Sequence, residues 1–231
     1  MYDFAINDDE YEEDYETNPV SKIKGLKKEK VRTISFLSMN DINIIYNRLI
    51  KDKEYQQALL LALLIDSAGR KNEIAQIRKD SIKEDGCFTN EVVGKGGKSF
   101  KLMYHKMTKD VYKLYIEQRG EDNCPSLWYR INNRGEVKEI SPNTLYDWVK
   151  KWNKLYLSET GKKTDFNIHS FRHTALELLS TGEHYLCDLL GVTQFSLDTL
   201  KALAHHNDMA TTSAYLKEKS EETLMKAFYL E

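Results

Sequence analysis

The sequence predicts a mainly α-helical fold with a small antiparallel β-sheet, an α+β arrangement, and three observations carry that expectation. Apolar residues recur at three- and four-residue intervals in several segments, most clearly as Leu145, Trp148, Val149, Trp152 and Leu155. The run 58–65 is apolar on every face, which marks a buried helix. Between residues 81 and 103 the period changes, and short apolar segments flank the glycine-rich stretch 94–97, as a hairpin requires.

Taken in order, residues 1–34 read as an acidic tail and a basic linker, and 35–231 as one folded domain. Ser38-Met39-Asn40-Asp41 is a capped helix start, with Ile42, Ile45 and Leu49 following at helical spacing. A second helix covers 55–67. Gly69 is expected to break it, which puts Arg70 at a corner between two helices, and the next helix turns Ile74 and Ile77 inward. In the strand region Ile82, Phe88, Val92 and Val93 stand on one side of the hairpin and Phe100 and Leu102 on the other. The helix over 107–118 carries Val111, Leu114 and Tyr115 on one face. Residues 124–139 hold turn formers without a period and read as loop. Ser141-Pro142 opens a long amphipathic helix, and its aromatic residues read as core packing rather than as a platform for stacking bases. A helix over 171–180 ends at Gly182, and further helices fill 188–204 and 209–217.

Composition narrows the functional classes. A chain of 231 residues with 41% apolar residues can bury a sizeable core. Its longest apolar stretch falls far short of the roughly 18 residues a spanning helix needs, so no membrane partner is expected. Three widely spaced cysteines, Cys87, Cys124 and Cys187, fit a reducing cytoplasm better than a disulfide framework. The net charge of −2 conceals an asymmetry: residues 1–18 hold eight acids and no Lys or Arg. From residue 19 onward 34 basic residues face 28 acidic ones, a net of +6. Such a mildly basic body is compatible with phosphate binding, and the acidic tail reads as a solvated segment.

The last third concentrates the chemistry. His169-Ser170-Phe171-Arg172-His173 is followed by His205-His206 and, nine residues beyond His206, by Tyr215. An arginine fork fits two phosphate oxygens, an imidazole moves protons near neutral pH, and a phenol can become a nucleophile. Upstream, Arg70 lies in Ala68-Gly69-Arg70-Lys71-Asn72-Glu73, and Lys95 in Gly94-Lys95-Gly96-Gly97-Lys98. Gly97-Lys98-Ser99 resembles the end of a nucleotide-binding loop, but Val92 stands where that loop needs its first glycine, and a strand follows instead of a helix. His169 and His173 have the spacing of a metal-binding pair, yet Arg172 lies between them and would repel a cation, so no metal and no other cofactor is expected.

The order Arg70, Lys95, His169, Arg172, His206, Tyr215 resembles the signature of the tyrosine recombinases, the phage integrase family: Arg, Lys, His-x-x-Arg, His or Trp, then Tyr. Thr211-Thr212 ahead of Tyr215 matches the family's stretch before the nucleophile. The resemblance covers about residues 35–231 and implies a tyrosine recombinase catalytic-domain-like fold that acts on double-stranded DNA. It further implies that Arg70 and Arg172 clamp the phosphate, that Tyr215 attacks it to give a 3′-phosphotyrosyl link, and that His206 donates a hydrogen bond. Lys95 would protonate the leaving oxygen and His169 would assist as acid or base. Glu73 and His173 would support the site from behind, and Lys98 and Arg78 would touch DNA. An integrase or transposase of a mobile element is the implied context, in the cytoplasm and associated with the nucleoid. A topoisomerase-like relaxing enzyme and a non-catalytic DNA-binding protein are the alternatives on the same scaffold.

Three departures stand out. His205 replaces the family's usual glycine, so either His205 or His206 could face the phosphate. The stretch from Arg172 to His206 is longer than usual by about a short helix, which suggests an insertion within 184–199. Family members also carry a helical domain ahead of the catalytic one, which 34 residues cannot form. The tail 216–231 resembles segments that dock on a neighbouring subunit within a DNA-bound tetramer, or it packs on its own domain.

Overall fold

A computed structural model of the chain describes residues 36–205. The expected tail and linker at 1–34, the helix at 209–217, His206, Tyr215 and the tail 216–231 lie outside the described residues.

Helix α1 (Met39–Lys51) starts where its cap dictates. The Ser38 hydroxyl accepts from the Asp41 amide at 3.2 Å while the Asp41 carboxylate accepts from the Ser38 amide at 2.9 Å. Ile42, Ile45 and Leu49 form its buried stripe. Helix α2 (Tyr55–Ser67) is the centre of the fold: every residue from Ala58 to Ser67 is buried, and it packs against α1 and against two later helices. Burying a leucine side chain stabilises a fold by about 1.5–3 kcal/mol, so this helix anchors the molecule.

The break after α2 comes one residue before the expected one. Ala68 takes the left-handed conformation, φ 48° and ψ 28°. Gly69 serves a different need: a Cβ there would meet Ser67 Oγ at 2.9 Å, Ile74 Cγ1 at 3.0 Å and Leu102 Cδ1 at 3.2 Å. The short helix α3 (Lys71–Ala75) follows, then a 3₁₀ turn, Lys79–Ser81.

Strands β1 (Phe88–Val93) and β2 (Ser99–Met103) pair antiparallel, Val92 opposite Phe100 and Val93 opposite Ser99, around the 3₁₀ turn Lys95–Gly97. The hairpin expected from residue 81 begins only at Phe88; Ile82 is buried but lies outside the strand. Helix α4 (Lys106–Arg119) packs on α2. Buried Asp66 of α2 caps it, accepting from the amides of His105 at 2.9 Å and Thr108 at 3.1 Å, and from the Tyr185 hydroxyl at 2.5 Å. Those amides have no partner within the helix, so a carboxylate there is well placed. Leu114, expected on the inner face of α4, is instead exposed.

The segment expected as loop contains a second hairpin, β3 (Tyr129–Ile131) with β4 (Val137–Glu139), so the described residues hold two two-stranded sheets rather than one. All six strand residues are exposed or half-buried, so no face imposes an apolar alternation. Asn132 closes the turn, its side-chain oxygen accepting from the amides of Arg134 and Glu136, both at 2.9 Å.

Helix α5 (Pro142–Thr160) buries Leu145, Val149, Trp152 and Tyr156, and α6 (Ile168–Thr181) meets it through an edge-on Trp152–Phe171 contact at 5.3 Å. Trp152 is thus a core residue, as its spacing predicts. Helix α6 begins three residues before the expected start, because Asn167 caps it and accepts from the amides of His169 at 2.9 Å and Ser170 at 3.1 Å. The stretch 188–204 divides into α7 (Tyr185–Leu190) and α8 (Leu197–Ala204), separated at Gly191. Among the described residues no helix is long and apolar enough to cross a membrane.

Candidate active site

The C-terminal end of α2 positions the site. Because the chain turns left-handed at Ala68, Arg70 becomes the residue that caps α3. Its own side chain and backbone both reach Glu73: the Arg70 amide donates to Glu73 Oε2 at 2.8 Å and Arg70 Nη1 to Oε1 at 2.9 Å. Glu73 is 1% exposed, so this ion pair is shielded from water and its geometry is held. The Arg70 side chain remains 17% exposed, enough for a ligand to reach it.

Arg172, on α6, comes to the same corner from the other side. It is 2% exposed and donates Nη1 to the carbonyl of Ala68 and Nη2 to the carbonyl of Ala204 at 2.7 Å. Both acceptors lie at helix C-termini, where carbonyls lack intrahelical partners and the dipole favours a cation. One guanidinium therefore joins the ends of α2 and α8 behind Arg70. His169 and His173, one turn apart on α6, meet edge to face at 4.3 Å, with His173 buried.

The lysine hairpin closes the corner. Lys95 is exposed at the start of the 3₁₀ turn, and Lys98, also exposed, ends it, its carbonyl accepting from the Gly94 amide at 2.9 Å. Gly94 admits no side chain: a Cβ would lie 2.5 Å from Phe100 Cε1 and 3.2 Å from Glu73 Oε1. The hairpin therefore rests directly on the carboxylate that holds Arg70. Gln76 fixes its first strand, donating to the Val93 carbonyl and accepting from the Val93 amide, each at 2.9 Å.

His205 terminates α8 in the left-handed conformation, φ 51° and ψ 37°. Its ring stacks on Phe100 with centroids 3.8 Å apart and planes 19° from parallel. Burial holds its pKa below the ordinary histidine value; Glu73 opposes the shift, while Arg172 and Arg70 add to it. The imidazole is thus close enough to feel both arginines.

The structure brings Arg70, Glu73, Arg172, the Lys95 hairpin and His205 to one corner, with His169 and His173 on the helix that carries Arg172. Arg78 stands apart from that cluster: it is exposed and forks onto Asp80 at 3.1 and 3.2 Å. Sequence reasoning missed Gln76 and Phe100, because a lone glutamine and a strand phenylalanine carry no local signal. His205 did carry one, in replacing a glycine. Among the described residues no group of three or more His, Cys, Asp or Glu side chains is placed to hold a metal ion.

Comparison with known proteins identifies the family and the fold. The profile of the phage integrase family matches residues 35–222. The tyrosine recombinase XerC of Caldanaerobacter subterraneus subsp. tengcongensis is 24% identical over 201 residues, 86% of this chain and 51% of that protein. The SPbeta prophage-derived recombinase-like protein YomM of Bacillus subtilis is 23% identical over 186 residues, 76% of this chain and 51% of its own length. Among solved structures, the XerH site-specific recombinase bound to palindromic difH substrate, a post-cleavage complex, superposes with a TM-score of 0.62 at 18% identity, over 92% of this chain and 58% of that one. The chain spans about half the length of the curated relatives it matches.

Proposed function

The chain belongs to the phage integrase family, as a tyrosine recombinase catalytic domain, and on that footing we propose that it cuts and rejoins duplex DNA in site-specific recombination. The observation that carries the reading is the convergence of Arg70 and Arg172 on one corner against the lysine hairpin. A phosphodiester in transfer spreads negative charge over its non-bridging oxygens, and two guanidiniums set in place beforehand stabilise that charge without reorganising.

In this reading the Tyr215 oxygen attacks the scissile phosphorus and the bond from phosphorus to the 5′ oxygen breaks. Lys95 gives the departing oxygen its proton, and the tyrosine stays joined to the 3′ phosphate. His206 donates a hydrogen bond to a non-bridging oxygen, and His169 assists proton transfer. Rejoining runs the same steps backward from a 5′ hydroxyl, so the energy of the phosphodiester is kept in the phosphotyrosine. Glu73 holds Arg70 and His173 packs against His169, and Lys98 and Arg78 meet the DNA backbone. The partner is double-stranded DNA in the cytoplasm, with protomers assembling as a tetramer, and the setting is a mobile element such as the prophage that names one of its relatives.

The test is covalent trapping. The protein is incubated in EDTA with nicked duplexes carrying candidate sites, beside the Tyr215→Phe variant, and adducts that survive denaturation are scored. An adduct lost in the variant is the expected result. One that persists moves the nucleophile elsewhere, and tight binding with no adduct in either protein replaces the enzyme reading with a binding protein.

A further inference from the structure

We propose that His205 is a positioning residue for strand cleavage, its ring laid against Phe100 so that the lysine hairpin is held on the arginine corner. The inference rests on the recombinase reading and on Lys95 as the proton donor. Four observations carry it.

The first is the stack itself, with centroids at 3.8 Å and planes 19° apart, close to the parallel contact of two rings in full overlap. The second is the backbone. His205 adopts a left-handed conformation at the end of α8, where glycine would be free of strain and a residue with a Cβ is not. A side chain kept at such a position is held by what its ring touches.

The third is where Phe100 leads. The same ring closes over Gly94, the residue before Lys95, and lies opposite Val92 in the ladder. With Gln76, at the end of α3, clasping Val93, the base of the hairpin is gripped on both strands, while the turn Lys95–Gly97 stays exposed. The fourth is what the other side of His205 reaches. The carbonyl just before it, that of Ala204, accepts from Arg172. The Ala204–His205 peptide therefore ties the hairpin to the guanidinium that joins α2 and α8.

Charge agrees with the geometry. Arg70 at the N-cap of α3, Glu73 within it and Arg172 from α6 face the imidazole. The neutral ring suits a place beside two guanidiniums, and protonation would add a third cation opposed by Glu73.

The experiment measures the rate of covalent adduct formation on nicked duplex in two substrates, one with the natural phosphate and one with sulfur at the bridging 5′ position. Sulfur leaves as a thiolate and needs no proton, so it bypasses the lysine. The full chain is compared with His205→Gly, Phe100→Leu, Phe100→Tyr, the double variant His205→Gly/Phe100→Leu, and Lys95→Ala; thermal unfolding confirms that each is folded.

On the phosphate, His205→Gly and Phe100→Leu are expected to slow the reaction about tenfold, part of what a general acid contributes. The double variant is expected to be no slower than either, and Phe100→Tyr, which keeps the ring, to retain the rate. On the sulfur substrate both slow variants return to the wild-type rate, as Lys95→Ala does. Equal slowing on both substrates, or no slowing on the phosphate, overturns the proposal while leaving the recombinase reading intact. Failure of sulfur to rescue Lys95→Ala removes the acid role on which the proposal depends. Absence of any adduct from the wild-type protein defeats the recombinase reading and this inference with it.

Discussion

His184 was noticed in the sequence only as the start of an apparent insertion, and its surroundings give it a definite charge state. It is fully buried; its Nδ1 accepts from the Leu186 amide at 3.2 Å and its Nε2 lies 3.3 Å from the Ile65 carbonyl, which requires the neutral ring with the proton on Nε2. Burial holds its pKa below 6.5, against the pull of Asp66 and the Ile65 carbonyl. The unfolded chain takes up this proton near 6.5 and the folded chain only at lower pH. Stability is therefore complete above the unfolded value and falls as pH drops through it, by at most about 1.4 kcal/mol per pH unit for one proton. His205 shifts in the same direction. Urea unfolding at about pH 5 and about pH 7.5 should show this loss, and His184→Gln should reduce it; an unchanged difference would remove His184 from the cause. At this scale the sequence named Arg70 and Arg172 by chemistry and order, and Glu73 through the family resemblance. Nothing in it showed that Arg172 would spend its donors on carbonyls 104 and 32 residues away in sequence, because such bonds exist only once the helix ends meet.

Elements that carry an apolar stripe or an unbroken apolar run were legible. Helices α1 and α5 lie where their periodicity puts them, since burial of one face selects the register, and α2 lies where a run apolar on every face marks a buried helix. The β3–β4 hairpin escaped because neither strand buries a face. The division between α7 and α8 was also illegible in outline, although Gly191 marked it. The β1–β2 hairpin was legible as an element, but its docking was not: Gln76 completes β1 by pairing with Val93 in place of a neighbouring strand. Gln76→Leu should speed amide exchange at Val93 and its neighbours and cost about 1 kcal/mol, the net value of a typical hydrogen bond. Exchange at the wild-type rate, read by mass spectrometry, would show that β2 alone secures the strand.

Over the whole molecule the charge is divided along the chain, eight acids in residues 1–18 against a net of +6 beyond them. The eight carboxylates of 1–18 repel the phosphates of any DNA bound nearby. Deleting 1–18 should then raise affinity for duplex DNA at low salt, with the advantage shrinking as salt screens that repulsion. Fluorescence anisotropy across a salt series would measure this, and equal affinity at the lowest salt would mean that the tail stays clear of DNA. The acidic total also explains why overall charge hides the basic balance of residues 19–231, which shows only when the charge is mapped residue by residue.

By itself the sequence determined the mainly helical class, the capped and apolar helices, and the ordered set of arginine, lysine, histidine and tyrosine. Each of these is a local property, set by spacing along one helix or by residue type. Tertiary structure alone decided that Ala68, not Gly69, makes the turn before Arg70, that buried Arg172 links two helix ends, and that His205 rests on Phe100. Those outcomes depend on which carbonyls, rings and carboxylates packing brings together from distant parts of the chain, and no spacing within a segment encodes them.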